Sequence, residues 1–305
     1  MYQKIVVPLD GSELAEASLH YATQLTAKSG AELVLLHVCG PEECHCRPEE
    51  CHVQPMHGIY TQHTAAAITE RLKQAGVKDA RVSPVLQSGD PAIEILRYAE
   101  ENHADLIAMA THGRSGIRRW VMGSVAVRIH RCSTAPVRLI RALSADESAP
   151  ADWPEKKILV PLDGSERAEQ AIPYVVDHAH MSDSEVILLR VHEPPSILSD
   201  YPEASMPLTW QEHVDRAKAH QREQCRTYLE GIGKNLKAKG VKVKSECVLG
   251  DNAAQEIINY AAKSRPNLIA MTTHARCALS TWPIGSTADK IIHATSSPIL
   301  LVRPT

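Results

Sequence analysis

The chain has 305 residues, of which 44% are hydrophobic and 23% are charged, and its formal net charge is −3. This balance is typical of an ordinary globular protein, and it gives no electrostatic reason to expect nucleic acid or an anionic membrane as a partner. The longest apolar runs are far shorter than a bilayer-spanning helix, and neither a signal peptide nor a membrane anchor is visible, so we expect a cytoplasmic protein with no membrane partner.

Short apolar runs alternate with longer segments of helical pattern along the first half. Five strands are predicted, at residues 4–9, 32–38, 81–86, 106–110 and 136–140. Four helices are predicted, at residues 14–28, 61–75, 92–101 and 124–130. Strands separated by helices favour right-handed crossovers and a parallel sheet that is covered on both faces.

The second half repeats this order. Five strands are predicted at residues 157–162, 185–191, 241–248, 268–272 and 298–302, and four helices at residues 166–181, 209–238, 253–263 and 286–293. The segment Val-Pro-Leu-Asp-Gly-Ser-Glu occurs at residues 7–13 and again at residues 160–166, so one fold is encoded twice. We therefore predict two similar α/β domains, each a five-stranded parallel sheet with helices on both faces (Rossmann-like), at residues 1–143 and 156–305, joined by a linker at residues 144–155.

Glycines cluster where a ligand is expected to bind. In an open parallel sheet the ligand crevice lies beyond the carboxyl ends of the strands, at the point where strand order reverses. Gly113, Gly123, Ser124 and the backbone N–H of Val125 follow such a strand end and open a helix, which is an arrangement that can cradle an anion. The alternative is that Ser124 is a plain N-cap and Gly123 a plain turn glycine.

These residues resemble the universal stress protein family in tandem form. The resemblance rests on Val-Pro-Leu-Asp-Gly-Ser-Glu at residues 7–13, Ala-Thr-His-Gly-Arg-Ser-Gly at residues 110–116, and the following Gly-Ser. Nucleotide-binding members carry Gly-x2-Gly-x9-Gly-Ser/Thr on a five-stranded α/β fold, with ATP at the strand ends. Here the pattern reads Ala110-x2-Gly113-x9-Gly123-Ser124, with alanine for the first glycine. The resemblance implies ATP or another adenine nucleotide, with or without Mg²⁺, in the first domain.

The resemblance also implies a role for individual residues. Asp10 would contact the ribose or the adenine. The adenine slot would be lined by Pro8, Val38 and Met109. The phosphates would be held by the motif that begins at Ala110, through Gly113, Gly123, Ser124 and Val125. The alternatives are that Val38 and Met109 are only core residues, and that Asp10 belongs to the N-terminal cap of the next helix.

The second half departs from this pattern. Its corresponding window reads Thr272-x2-Ala275-x9-Gly285-Ser286, so two of the three glycines are absent and a β-branched residue replaces the first. We predict weak or no nucleotide binding there. In dimers of the family the last strands of two domains pair. The resemblance therefore implies an intramolecular pseudo-dimer through residues 137–140 and 299–302. Association into a further homodimer stays open.

The first half also carries an insert rich in cysteine and histidine at residues 39–57, which the second half lacks. Eight cysteines in a large chain without a visible signal peptide favour free thiols or metal ligation over disulfides. A zinc site would use ligands from Cys44, Cys46, Cys51, His52 and His57. The spacing fits no standard zinc pattern, and redox-active or simply exposed thiols are the alternatives.

The sequence leaves two functional hypotheses. The first is a cytoplasmic stress-response protein that binds ATP in its first domain and acts as a nucleotide-responsive regulatory module. We expect no enzyme beyond a very slow ATPase, because hydrolysis needs a positioned water, a base and usually a metal. The alternative is a zinc or redox sensor that works through the insert and has a vestigial nucleotide site.

Overall fold

A computed structural model describes residues 2–40, 53–77, 79–111, 122–141, 156–193, 208–273 and 286–304. The described part of the first half contains strands β1 (Lys4–Leu9), β2 (Glu32–Cys39), β3 (Val82–Ser88), β4 (Leu106–Ala110) and β5 (Val137–Ile140). Its helices are α1 (Glu13–Ser29), α2 (Val53–Gln74), α3 (Pro91–Glu101) and α4 (Ser124–Cys132). The predicted alternation is confirmed, and α2 begins eight residues earlier than the sequence pattern predicts.

The described part of the second half repeats the order. Its strands are β6 (Lys157–Pro161), β7 (Glu185–His192), β8 (Lys242–Leu249), β9 (Leu268–Thr272) and β10 (Ile299–Val302). Its helices are α5 (Glu166–Glu169), α6 (Ile172–Ser182), α7 (Leu208–Ala238), α8 (Ala253–Ser264) and α9 (Ser286–Ala294). One helix was predicted over residues 166–181, but the chain divides it into α5 and α6. Pro173 has no N–H to donate to Glu169, so a continuous helix cannot form there.

The ten described strands form a single sheet in the order β3-β2-β1-β4-β5-β10-β9-β6-β7-β8. Pairing within each half is parallel, while β5 and β10 pair antiparallel, with Ile299 opposite Leu139 and Leu300 opposite Arg138. The predicted pairing of the two last strands is therefore confirmed. Among the described helices, none combines the length and apolar character that a membrane crossing requires.

Each face of the sheet has its own apolar layer. On one face, α1, α2, α6 and α7 pack against residues such as Ile5 and Leu33. On the other, α3, α4, α8 and α9 pack against residues such as Val6 and Ile107. Alternate residues of the inner strands enter opposite layers, which is why these strands read as continuous apolar runs in the sequence.

The junction between the halves buries polar side chains as well. Arg138 of β5 is 1% exposed, and its guanidinium lies 4.9 Å from the centre of the Tyr21 ring in α1. Nearby in the same layer, the hydroxyl of Tyr2 lies 2.9 Å from Nε2 of His178, which is fully buried in α6 of the second half. A buried cation on the face of an aromatic ring is stabilised by the ring quadrupole. The Tyr2–His178 contact therefore joins the two halves in addition to the strand pairing, while the Arg138–Tyr21 contact lies within the first half.

The expectation of free thiols is wrong for three cysteines. Cys225 of α7 and Cys247 of β8 form a disulfide, with Cα atoms 6.3 Å apart, and Cys132 at the end of α4 is also disulfide-bonded. Helix α7 packs directly against β8, so the two residues face each other within disulfide range. Cys39, which the sequence grouped with the insert, instead lies buried at the end of β2.

Candidate functional site

The strand order places a switch point at the carboxyl ends of β1 and β4. Strand β1 pairs with β2 on one side and with β4 on the other. Helices α1 and α2 cover one face of the sheet, and α3 and α4 cover the opposite face. Ligands of open parallel sheets bind outside the strand ends at such a point. Asp10 directly follows β1, and Thr111 directly follows β4. The described residues of the predicted motif therefore lie at this edge of the sheet.

Two of the predicted slot residues share one face of the sheet. Val38 and Met109, at 9% and 6% exposure, belong to the apolar layer covered by α3 and α4. Pro8 is half-buried and pairs with Leu36, and continuing the β1–β4 register places Pro8 level with Met109. Ala110 is buried at the end of β4. The edge thus offers an apolar surface where a flat base is expected, although the same burial suits core residues.

Asp10 is held by the turn that starts α1. Its Oδ1 accepts hydrogen bonds from the Ser12 backbone N (3.0 Å) and the Ser12 Oγ (2.6 Å). Ser12 is the N-cap, and its Oγ accepts from the Ala15 backbone N at 3.1 Å. The alternative of Asp10 as part of the capping turn is therefore correct as far as Oδ1 is concerned. This arrangement fixes the half-buried carboxylate at the end of β1.

The N-terminus of α4 is capped by a glycine. Gly123 is the N-cap, and no side chain in the described part of the chain makes a capping hydrogen bond there. The alternative of Ser124 as N-cap is wrong, because Ser124 is the first residue of the helix and its side chain is exposed. Val125 follows in the first turn. The Gly123 N–H donates to the Thr111 carbonyl at 2.9 Å, which ties this helix start to the end of β4. Backbone N–H groups and the positive end of the helix dipole thus meet the switch point.

Several predicted residues lie outside the described part of the chain. These are Gly113 of the nucleotide motif and four of the candidate zinc ligands, Cys44, Cys46, Cys51 and His52. His57 lies on α2, so it belongs to a helix and not to a loop. Within the described ranges, no group of three or more histidine, cysteine or acidic side chains is placed to hold a metal ion. The zinc site stays a prediction.

The second half differs at its equivalent edge in a way that motif comparison missed. Arg190 occupies the β7 position that His37 holds in β2, and its guanidinium stacks on the Tyr228 ring at 4.8 Å. It also packs against Gly164, since a Cβ built there would lie 2.8 Å from Nη2 of Arg190. A resident cation therefore lies beside the loop that carries Asp163. The sequence alone shows this difference, because the repeat carries histidine at position 37 and arginine at the matching position 190.

A buried histidine makes α4 sensitive to pH. His130 is 5% exposed, and burial, with a contribution from Arg131, lowers its pKa from 6.5 to about 4. From α9, Asp289 raises this pKa and His293 lowers it. The unfolded chain takes up a proton near pH 6.5, while the folded chain resists it until about pH 4. Stability contributed by neutral His130 is therefore present above pH 6.5 and is lost as the pH falls.

We expect the free energy of unfolding to drop by about 2 kcal/mol between pH 7 and pH 5 through His130 alone. Urea denaturation at the two pH values measures this, and His130→Gln should remove that part of the drop. His20→Gln is the matched control, because His20 is exposed and bonds only to Gln24 on its own helix in the described contacts. An equal drop in wild type and His130→Gln would contradict the assignment.

Comparison with known proteins gives a consistent result. The profile of the Universal stress protein family matches residues 1–141 and 155–303. The universal stress protein YxiE of Bacillus subtilis is 31% identical over 149 residues, which cover 46% of this chain and all of that protein. Rv2005c of Mycobacterium tuberculosis is 25% identical over 202 residues, covering 66% of this chain and 63% of that protein. A solved universal stress protein from Archaeoglobus fulgidus superposes with a TM-score of 0.69 at 19% identity, covering 98% of both chains.

Proposed function

Because the chain belongs to the universal stress protein family, we propose that it binds one adenine nucleotide, ATP in the first place, at the switch point of its first half. In this proposal Asp10 contacts the ribose or adenine, and the base rests on Pro8, Val38 and Met109. The phosphates meet Gly113, Gly123, Ser124 and Val125. The protein acts as a nucleotide-responsive regulatory module in a stress response.

The observation that carries the proposal is the start of α4. Its N-cap is a glycine, and among the described residues no side chain caps the helix, so its N-terminal N–H groups lie at the adjoining edge of the sheet, where an anion would satisfy them. A fixed carboxylate and an apolar surface follow the neighbouring strands at the same edge. Anion cradle, carboxylate and apolar slot together suit a nucleotide better than a bare phosphate.

We propose binding and not catalysis, with at most a very slow ATPase activity. The described acid at this edge is Asp10, and its Oδ1 is already engaged by two hydrogen bonds from Ser12, so this oxygen is poorly placed to take a proton from an attacking water. In the second half we propose that nucleotide binding is weakened by the altered motif and by the Arg190 side chain, which occupies space against Gly164. These roles follow from local chemistry and from the family pattern together.

Calorimetric titration with ATP tests the proposal. Wild type should bind one ATP per chain, and Asp10→Asn should raise the Kd about tenfold, because the amide keeps an acceptor for Ser12 but loses the charge that strengthens a bond to a hydroxyl donor. The matched control is Asp163→Asn, which makes the same change in the second half and should leave the Kd within about twofold. No ATP binding to wild type would overturn the proposal.

A further inference from the structure

Two arginines cross the junction between the halves in opposite directions. Arg141 follows β5, and its Nη1 donates to the carbonyl of Thr295, which follows α9, at 3.2 Å. Arg303 follows β10, and its Nη1 donates to the carbonyl of Cys132, the last residue of α4, at 3.3 Å. Each half therefore extends an arginine from the end of its last strand to the end of the other half's last helix.

These bonds meet groups that a helix cannot satisfy internally. The last carbonyls of a helix have no partner within it, and they carry the negative end of its dipole. A guanidinium there supplies both a donor and a positive charge. Both arginines are half-buried, so solvent screens these contacts less than it would on an open surface.

The contact of Arg303 matters for function because of the helix that it reaches. Helix α4 has only nine residues, so its two ends are about 13 Å apart. Its N-terminus is the proposed phosphate end, and its C-terminus is the end that Arg303 holds. A short rigid helix cannot move at one end without moving at the other.

Other contacts bring the second half next to α4 and next to the described residues that precede it. His130 of α4 lies near Asp289 and His293 of α9, which both affect its pKa. A small cavity of about 30 Å³ is lined from the first half by Thr111 and Met122, the described residues nearest the glycine loop, and from the second half by His293. The junction thus adjoins both the phosphate helix and the ends of its preceding loop.

We infer that Arg303 of the second half is a positioning residue for phosphate binding in the first half. The inference rests on the proposed nucleotide site and adds that the second domain, although its own motif is degenerate, sets the position of the phosphate helix. Its effect depends on the phosphates, because adenosine has none and would not use the N-terminus of α4.

The test is titration of the full chain with ATP and with adenosine. Arg303→Gln should raise the ATP Kd about three- to fivefold, which corresponds to the strength of a charge at a helix terminus, and should change the adenosine Kd less than twofold. Arg303→Lys, which keeps the charge, should recover at least half of the loss in binding free energy. Arg141→Gln is the comparison variant, since it removes the equivalent bond to the end of α9; because Arg141 also lines the small cavity beside Thr111, its ATP Kd is expected to rise, but by less than that of Arg303→Gln.

Amide exchange adds a measurement that needs no nucleotide. Exchange at residues 130–133 should be at least threefold faster in Arg303→Gln than in wild type, because the end of α4 loses one of the contacts that hold it, the hydrogen bond to the Cys132 carbonyl. Unchanged exchange overturns the inference, and so does an ATP Kd that is the same in wild type and Arg303→Gln. An equal loss of ATP and adenosine affinity also overturns it, because that would be a general structural effect. Failure of wild type to bind ATP overturns the proposed function and this inference with it.

Discussion

Gly123→Val is expected to raise the Kd for ATP at least tenfold while leaving the protein folded. Gly123 has φ −59° and ψ 145°, a conformation that any residue adopts, and among the described residues a Cβ built there meets only the Thr111 carbonyl at 3.5 Å, an ordinary contact. The fold therefore tolerates a side chain at this position. The branched side chain instead occupies space at the start of α4, where a phosphate must approach the N–H groups closely.

The matched control is Gly285→Val, which changes the corresponding motif position of the second half. It should leave the ATP Kd within about twofold, because we place the bound nucleotide in the first half. Circular dichroism and thermal melting establish that both variants remain folded. A Gly123→Val protein that binds ATP as tightly as wild type would place the phosphates elsewhere.

Arg138→Ala is expected to lower the free energy of unfolding by about 3 kcal/mol or more. The arginine is 1% exposed at the junction, it stacks on Tyr21, and its neighbour across the β5–β10 pair is Leu300. Truncation leaves a large cavity and removes the cation from the face of the Tyr21 ring. Denaturant unfolding monitored by fluorescence and circular dichroism measures the loss.

A leucine at the same position separates packing from charge. Arg138→Leu fills part of the cavity, and leucine is the residue that the second half carries at the matching position, Leu300. Replacing a buried ion with an apolar side chain often costs little, so we expect this variant to lose less than half as much stability as Arg138→Ala. Equal losses would show that the charge, and not the packing, accounts for the effect.

Much of the fold could be predicted because the sequence encodes the same domain twice. Runs such as Leu33 to Leu36 are apolar at every position, which is typical of strands that are covered on both faces, and they occur between helical segments at matching places in each half. The residues at which helices begin and end were predicted less accurately. The break between α5 and α6 depends on Pro173, which helical periodicity alone does not register. The disulfide between Cys225 and Cys247 depends on which face of α7 meets β8, a tertiary fact.

The candidate site was predictable only as a set of strand ends. The motif places Asp10, Met109 and Gly123 at one edge of the sheet, and the described topology agrees with that placement. Contacts that cross from one half to the other could not be read from the motif. Arg303 and Cys132 are 171 residues apart, and only the antiparallel pairing of β5 with β10 brings the end of each last strand to the other half's helix.

The most direct test of the account is native mass spectrometry of the full chain at an ATP concentration about three times the wild-type Kd. The account predicts one nucleotide on about three-quarters of the chains in wild type and in Gly285→Val, and on about a quarter or fewer in Gly123→Val at the same ATP concentration. Two nucleotides per chain, or one that persists in Gly123→Val and disappears in Gly285→Val, would contradict the assignment of the site to the first half. No bound nucleotide in wild type would contradict the proposed function itself.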